Sequence, residues 1–188
     1  NYLQEFRKIS MDLNEINSFE EWEQLYKKLV FWELELEGSN DSTMSEILEA
    51  QKSEANQQFG RFIEKSYPSW FEDYQAPVMS HTLFKEKIAD TLSTKQPTLL
   101  IVIDNLRYDQ WKSLEPTVNS YYKIQEDSLY FSILPTATQY ARNAIFSGLM
   151  PSEMEKLYPQ YWKNDNDEGG KNLYEAQFLE AQLKRLGL

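Results

Sequence analysis

Apolar residues recur at helical spacing through the first half of the chain and then give way to short continuous runs. Trp22, Leu25, Leu29 and Trp32 form one stripe, and Met44, Leu48, Ala55, Phe59 and Phe62 form another, the pattern of amphipathic helices that bury one face in a bundle. Ser18 followed by Glu21 reads as a capping box opening the first stripe, and Gly38, Ser39 and Asn40 close it. The spacing predicts helices over 1–16, 18–37 and 42–66. The segment YPSWFEDYQAPVMSHT, with Pro68 and Pro77, reads as a connector, and Leu83 to Leu92 as a further helix.

The pattern switches near Pro97. TLLIVI, residues 98–103, has no polar residue at alternate positions, the mark of a strand covered on both faces in a parallel sheet. Arg107 to Leu114 then reads as a helix or turn, Tyr121 to Gln125 as a short strand or hairpin arm, and Ser128 to Leu134 as the next sheet strand. Thr138 opens a helix that ends at Gly148. Residues 150–172 are rich in turn formers and read as an exposed loop able to cover a site, and Leu173 to Leu186 as a last helix capped by Gly187. The predicted architecture is a helical bundle or linker domain over 1–96, followed over 97–188 by the first part of an α/β domain with a mainly parallel sheet.

Composition narrows the function. The 188 residues are 41% hydrophobic, enough for packed cores, and the net charge of −11 argues against general binding to duplex DNA, which needs clustered lysine and arginine on the phosphates. The chain has no cysteine, which removes disulfides and thiolate metal sites and is compatible with a cytoplasmic setting. No apolar run reaches the roughly 20 residues of a membrane span. The opening NYLQEFRKIS is not a signal peptide and lacks an initiator Met, so an excerpt of a longer protein is expected.

Two apolar runs deliver polar side chains to what would be one sheet edge: Asp104 after the first, and Pro135, Thr136 and Thr138 after the second. A hydroxyl attacks at neutral pH only when a base or metal ion activates it, and a helix N-terminus favours the developing alkoxide. Thr138 stands at such a helix start, and Asp104 could hold a divalent ion beside it for phosphoryl transfer. Ordinary roles fit the same residues: an Asp capping a turn, a Thr capping a helix. Asn105 could bind a ligand or close the turn after Asp104. Arg107 and Arg142 could clamp a phosphate or pair with the many carboxylates. Asn143 could orient substrate oxygens.

IVIDNLRYDQW and LPTATQYARNAIFSGLMP together resemble the PglZ-type branch of the alkaline phosphatase superfamily. The resemblance implies that Asp104 is a metal ligand, and that a Ser or Thr opening a helix is nucleophile and ligand. Related phosphodiesterases carry Pro-Thr-x-Thr with a Gly ten residues after the second Thr, the spacing of Thr138 and Gly148, which favours Thr138 over Thr136. A complete site of this kind holds two zinc ions through further Asp and His residues. His81, the single histidine, does not match a ligand position, so the stretch alone is expected to be inactive. Asn105, Arg142 and Asn143 are the substrate-binding candidates. The order of bundle, IDNLRYDQW and PTATQYARN is similar to the middle region of two-component response regulators of the Bacteroidota type IX secretion system.

That similarity implies a receiver domain outside this chain, a sensor histidine kinase acting on it, and a homodimer. The implied activity is a zinc-dependent phosphodiesterase or phosphatase acting on a phosphorylated small molecule or oligonucleotide. A catalytically silent module that uses the phosphatase fold for signalling and dimerisation is the alternative, with a purely structural domain the third.

Overall fold

The computed structural model describes residues 2–39, 41–72 and 75–188. Asn1, Asp73, Tyr74 and Asn40, the last placed by the sequence in the closing turn of the second helix, lie outside them. The chain separates into two compact units, Asn1–Ala76 with Leu106–Asp127, and Pro77–Asn105 with Ser128–Leu188.

The first unit is built on helices α1 (Tyr2–Glu15), α2 (Phe19–Glu37) and α3 (Ser42–Ser66), followed by a 3-10 turn over Tyr67–Phe71 and, later in the chain, α4 (Tyr108–Asn119). The stripes read from the sequence meet in its core. Trp22, Leu25, Leu29 and Leu48 are buried with Phe6, Ile9 and Leu13, and Met44, Phe59, Phe62 and Trp32 pack against them. Each fully buried Leu or Ile contributes about 2 kcal/mol. Trp22 lies edge-on to Phe59 with ring centroids 5.2 Å apart. The capping box forms as expected: Glu21 N–H donates to Ser18 Oγ at 3.3 Å, while Ser18 N–H donates to Glu21 Oε2 at 3.1 Å. Asp41 caps α3 by accepting from Met44 N–H. Gln51, buried on α3, donates to the Phe6 carbonyl at 2.6 Å and to Ser10 Oγ at 2.9 Å, tying α3 to α1. α4 runs past its expected end at Leu114, and Lys112 on it pairs with both Glu115 and Asp127 at 2.7 Å.

The second unit corrects the expected fold class. Among its described residues there is no strand, and the mainly parallel sheet expected over 97–188 is not formed. Only isolated bridges occur, Met79 with Phe131 in parallel and Ser93 with Gln96 antiparallel. The first is a short seam: Phe131 N–H donates to Val78 O at 2.8 Å, Ser80 N–H to Phe131 O at 3.1 Å, and Ile133 N–H to Ser80 Oγ at 3.1 Å. Residues 98–103 have no regular structure, with Leu99 83%, Ile101 70% and Ile103 58% exposed. Residues 121–125 form no ladder either, and within 128–134 only Phe131 bridges. The physical reason is that a strand is completed by its neighbours. An apolar run codes for a strand's side chains but cannot supply the partner backbone.

Helical order continues beyond this point. A π turn over Phe84–Ile88 and a 3-10 turn over Ala89–Thr91 stand where a regular helix was expected over 83–92. The sequence correctly places α5 (Thr138–Ser147), which ends on Gly148 in the left-handed region, and α7 (Glu175–Leu186), which ends likewise on Gly187. The expected loop over 150–172 holds a helix, α6 (Pro151–Leu157), opened by proline and by Glu153 accepting from Met150 N–H at 2.8 Å. α7 lies along α5. Gln182 donates to the carbonyls of Ile145 (3.0 Å) and Phe146 (2.8 Å), and Arg185 to that of Ser147, satisfying acceptors that the end of α5 leaves open. No described helix is long and apolar enough to cross a membrane.

Candidate functional site

Asp104 and Asn105 form the turn that follows residues 98–103, and Asn105 adopts φ 59, in the left-handed region that asparagine tolerates better than most residues. Across from this turn, Ala137 in β conformation starts α5, so Thr138 is its first helical residue. The Thr138 hydroxyl donates to the Asp104 carboxylate, 3.2 Å from Oδ2 and 3.4 Å from Oδ1. Arg142, one turn further along α5, places Nη1 2.9 Å from Asp104 Oδ2. Its Nε donates to Glu175 Oε1 at the start of α7. An acid, a hydroxyl and a guanidinium therefore converge at a helix N-terminus, where the orphan amides and helix dipole favour negative charge.

The charge of the same acid also acts on Tyr130. Partial burial and then the Asp104 charge push its phenol above the ordinary pKa.

Other candidates are placed elsewhere. Asn143 is 1% exposed, and its amide donates to the carbonyls of Gln139 and Lys171 at 2.9 and 3.0 Å, not to Asp104 or Thr138. Arg107, in the first unit, is taken up by Asp109, with its Nε at 3.0 Å and Nη2 at 2.7 Å from that carboxylate. Sequence reasoning missed Glu175, Asn172 and Tyr130. Glu175 follows directly on the turn-rich stretch, but no local spacing connects it to residues more than 30 positions earlier.

Asp104 Oδ and Thr138 Oγ1 are hard oxygens that fit two positions of a metal's shell. The described residues contain no group of three or more His, Cys, Asp or Glu able to hold an ion. The donor set thus fits a metal as part of its ligation.

A phosphate-handling site, with hydroxyl, acid and guanidinium at a helix start, is the class this geometry suits. Residues 83–186 match the family model of the BREX system PglZ alkaline phosphatase-like domain, and the chain belongs to that family. Residues 1–71 match the family model of the PorX response regulator linker domain, so the two matches follow one another along the chain, the linker model first and the alkaline phosphatase-like model second. Such domains are in general metal dependent. No curated protein matches the chain.

Proposed function

We propose that this chain contributes the nucleophile and one acidic ligand to a metal-dependent phosphodiesterase or phosphatase within a PorX-like response regulator. The hydrogen bond from Thr138 to Asp104 carries the reading, since it joins residues 34 positions apart at the start of α5. Asp104 orients the hydroxyl, and the α5 N-terminus favours the alkoxide that develops as the hydroxyl proton passes to water. Thr138 Oγ1 forms a bond to phosphorus while the bond to the leaving oxygen breaks, giving phosphothreonine, which water then hydrolyses. Arg142 holds a non-bridging oxygen, with Asn105 beside Asp104 on the substrate side, while Asn143, buried and bonded to the Gln139 and Lys171 carbonyls, braces α5. A divalent ion, zinc by the family resemblance, would take oxygens of Asp104 and Thr138 and supply Lewis acidity to the hydroxyl and the phosphoryl group.

In the same reading, a receiver domain phosphorylated by a sensor histidine kinase acts through the 1–96 bundle on the 97–188 domain. The protein works as a cytoplasmic homodimer in type IX secretion on a phosphorylated small molecule or oligonucleotide. The test is Thr138→Val in the metal-loaded full-length protein. Hydrolysis of bis(p-nitrophenyl) phosphate is expected to vanish with the thermal midpoint unchanged. Hydrolysis at the wild-type rate would remove the nucleophile assignment.

A further inference from the structure

Residues 163–172 carry the acidic, glycine-containing part of the stretch that reads as an exposed loop able to cover a site, and together with Glu175 at the start of α7 they are directed at the first two turns of α5. Gln139 donates to the Lys163 carbonyl at 2.9 Å, and Tyr140 OH to Asp165 Oδ2 at 2.8 Å. Asn143 donates to the Lys171 carbonyl at 3.0 Å. Asn172 Nδ2 donates to the carbonyl of Thr138 itself at 3.2 Å and to Glu175 Oε1 at 3.3 Å. Glu175 in turn accepts from Arg142.

The segment is itself braced. Lys171 Nζ donates to the carbonyls of Asn164 (2.5 Å) and Asp167, so the acidic run closes around its own ammonium group. Asn164 N–H donates to Asp167 Oδ2 at 2.7 Å, and Asn164 accepts from Trp162 Nε1 at 2.9 Å. Beyond it, α7 is fixed to the other end of α5 by Gln182 and Arg185.

We propose that Asn172 and Glu175 are positioning residues for the reaction of Thr138, the first fixing the peptide unit that bears the hydroxyl, the second fixing the Arg142 guanidinium beside Asp104. This rests on the reading of Thr138 as nucleophile. Thr138 has one side-chain torsion between its backbone and Oγ1, so a tether on its own carbonyl holds the backbone from which that torsion starts, and the bond to Asp104 selects the rotamer. A guanidinium matches a carboxylate face to face through two N–H groups. Left to itself, Arg142 would swing onto both oxygens of Asp104 and close the acid off. Glu175 draws Nε the other way, so that Asp104 is met through Nη1 alone and the Nη2 hydrogens are left for a phosphoryl oxygen.

The test uses the metal-loaded full-length protein, bis(p-nitrophenyl) phosphate as probe, and Thr138→Val alongside. Asn172→Ala is expected to lower kcat about tenfold while KM stays within about twofold, the signature of lost alignment of a reacting group. Glu175→Ala is expected to raise KM about fivefold or more as Arg142 collapses onto Asp104, and Glu175→Gln, which keeps an acceptor for Arg142 Nε, to restore most of it. Variants with wild-type kinetics beside an inactive Thr138→Val would overturn the positioning role and leave the nucleophile standing. Equal loss of activity in Glu175→Ala and Glu175→Gln, or losses that follow a lowered thermal midpoint, would also overturn it by marking the contacts as structural. Thr138→Val with full activity would remove the nucleophile and this proposal with it.

Discussion

Gly148 serves α5 in two ways. Its φ of 64 closes the helix in the left-handed region, and the Gln182 carboxamide lies where a Cβ would be built. Gly148→Ala therefore imposes backbone strain of about 1 kcal/mol or more and displaces a side chain whose hydrogen bonds are worth about 1 kcal/mol each. Chemical denaturation is expected to show a loss of about 3 kcal/mol. A loss below about 0.5 kcal/mol would mean that Gln182 moves aside freely. The glycine itself is legible, because helix ends select for it. Gln182 is not, since nothing local to α7 announces two carbonyls on another helix. The same division separates Asp104, Thr138 and Arg142 from Asn172 and Glu175. The first three are marked by apolar runs and a helix start, while the others are polar residues whose meaning depends on folding back onto α5.

At the scale of elements, the bundle is governed by local signals. The Ser18 and Glu21 box satisfies donors at the start of α2, so Ser18→Ala should cost about 1 kcal/mol in thermal or denaturant unfolding. The backbone N–H groups of Asn17 and Ser18 hold the Glu21 carboxyl below its ordinary pKa. The charged form is thus favoured in the folded chain. Its contribution is complete above the ordinary carboxylate range and is lost as pH falls through the lowered value. Glu21→Gln should make the acid side of the stability profile shallower, and an unchanged profile would show the box to be idle. α6 is hidden in the sequence because Pro151 and the turn-rich residues after it read as loop, whereas proline is also a favoured first residue of a helix. The 98–103 run departs from the strand its sequence predicts for a different reason. Lack of alternation says that both faces of a segment are apolar, and burial of those faces depends on chain remote from it.

For the whole molecule, the two units differ in what a charge would do to them. Trp32 packs on the core of the first unit, with its ring edge-on to Phe6 at 5.8 Å. Trp32→Glu should cost about 3 kcal/mol or more, read as a lowered thermal midpoint, with sedimentation reporting any accompanying change in self-association. Unchanged melting would contradict the packing. Ile101 is already exposed. Ile101→Lys in this chain should change stability by less than about 0.5 kcal/mol, where the same change in a buried strand would be severe. A large loss would indicate that the run is covered after all.

The exposed run has a consequence for the chain as a material. TLLIVI is six residues without charge, glycine or proline, rich in β-branched side chains, the composition that stacks readily into cross-β fibrils. At high concentration the chain should lose monomer through growth of such stacks, read by thioflavin fluorescence. A single lysine at position 101 should slow that growth while leaving the fold alone.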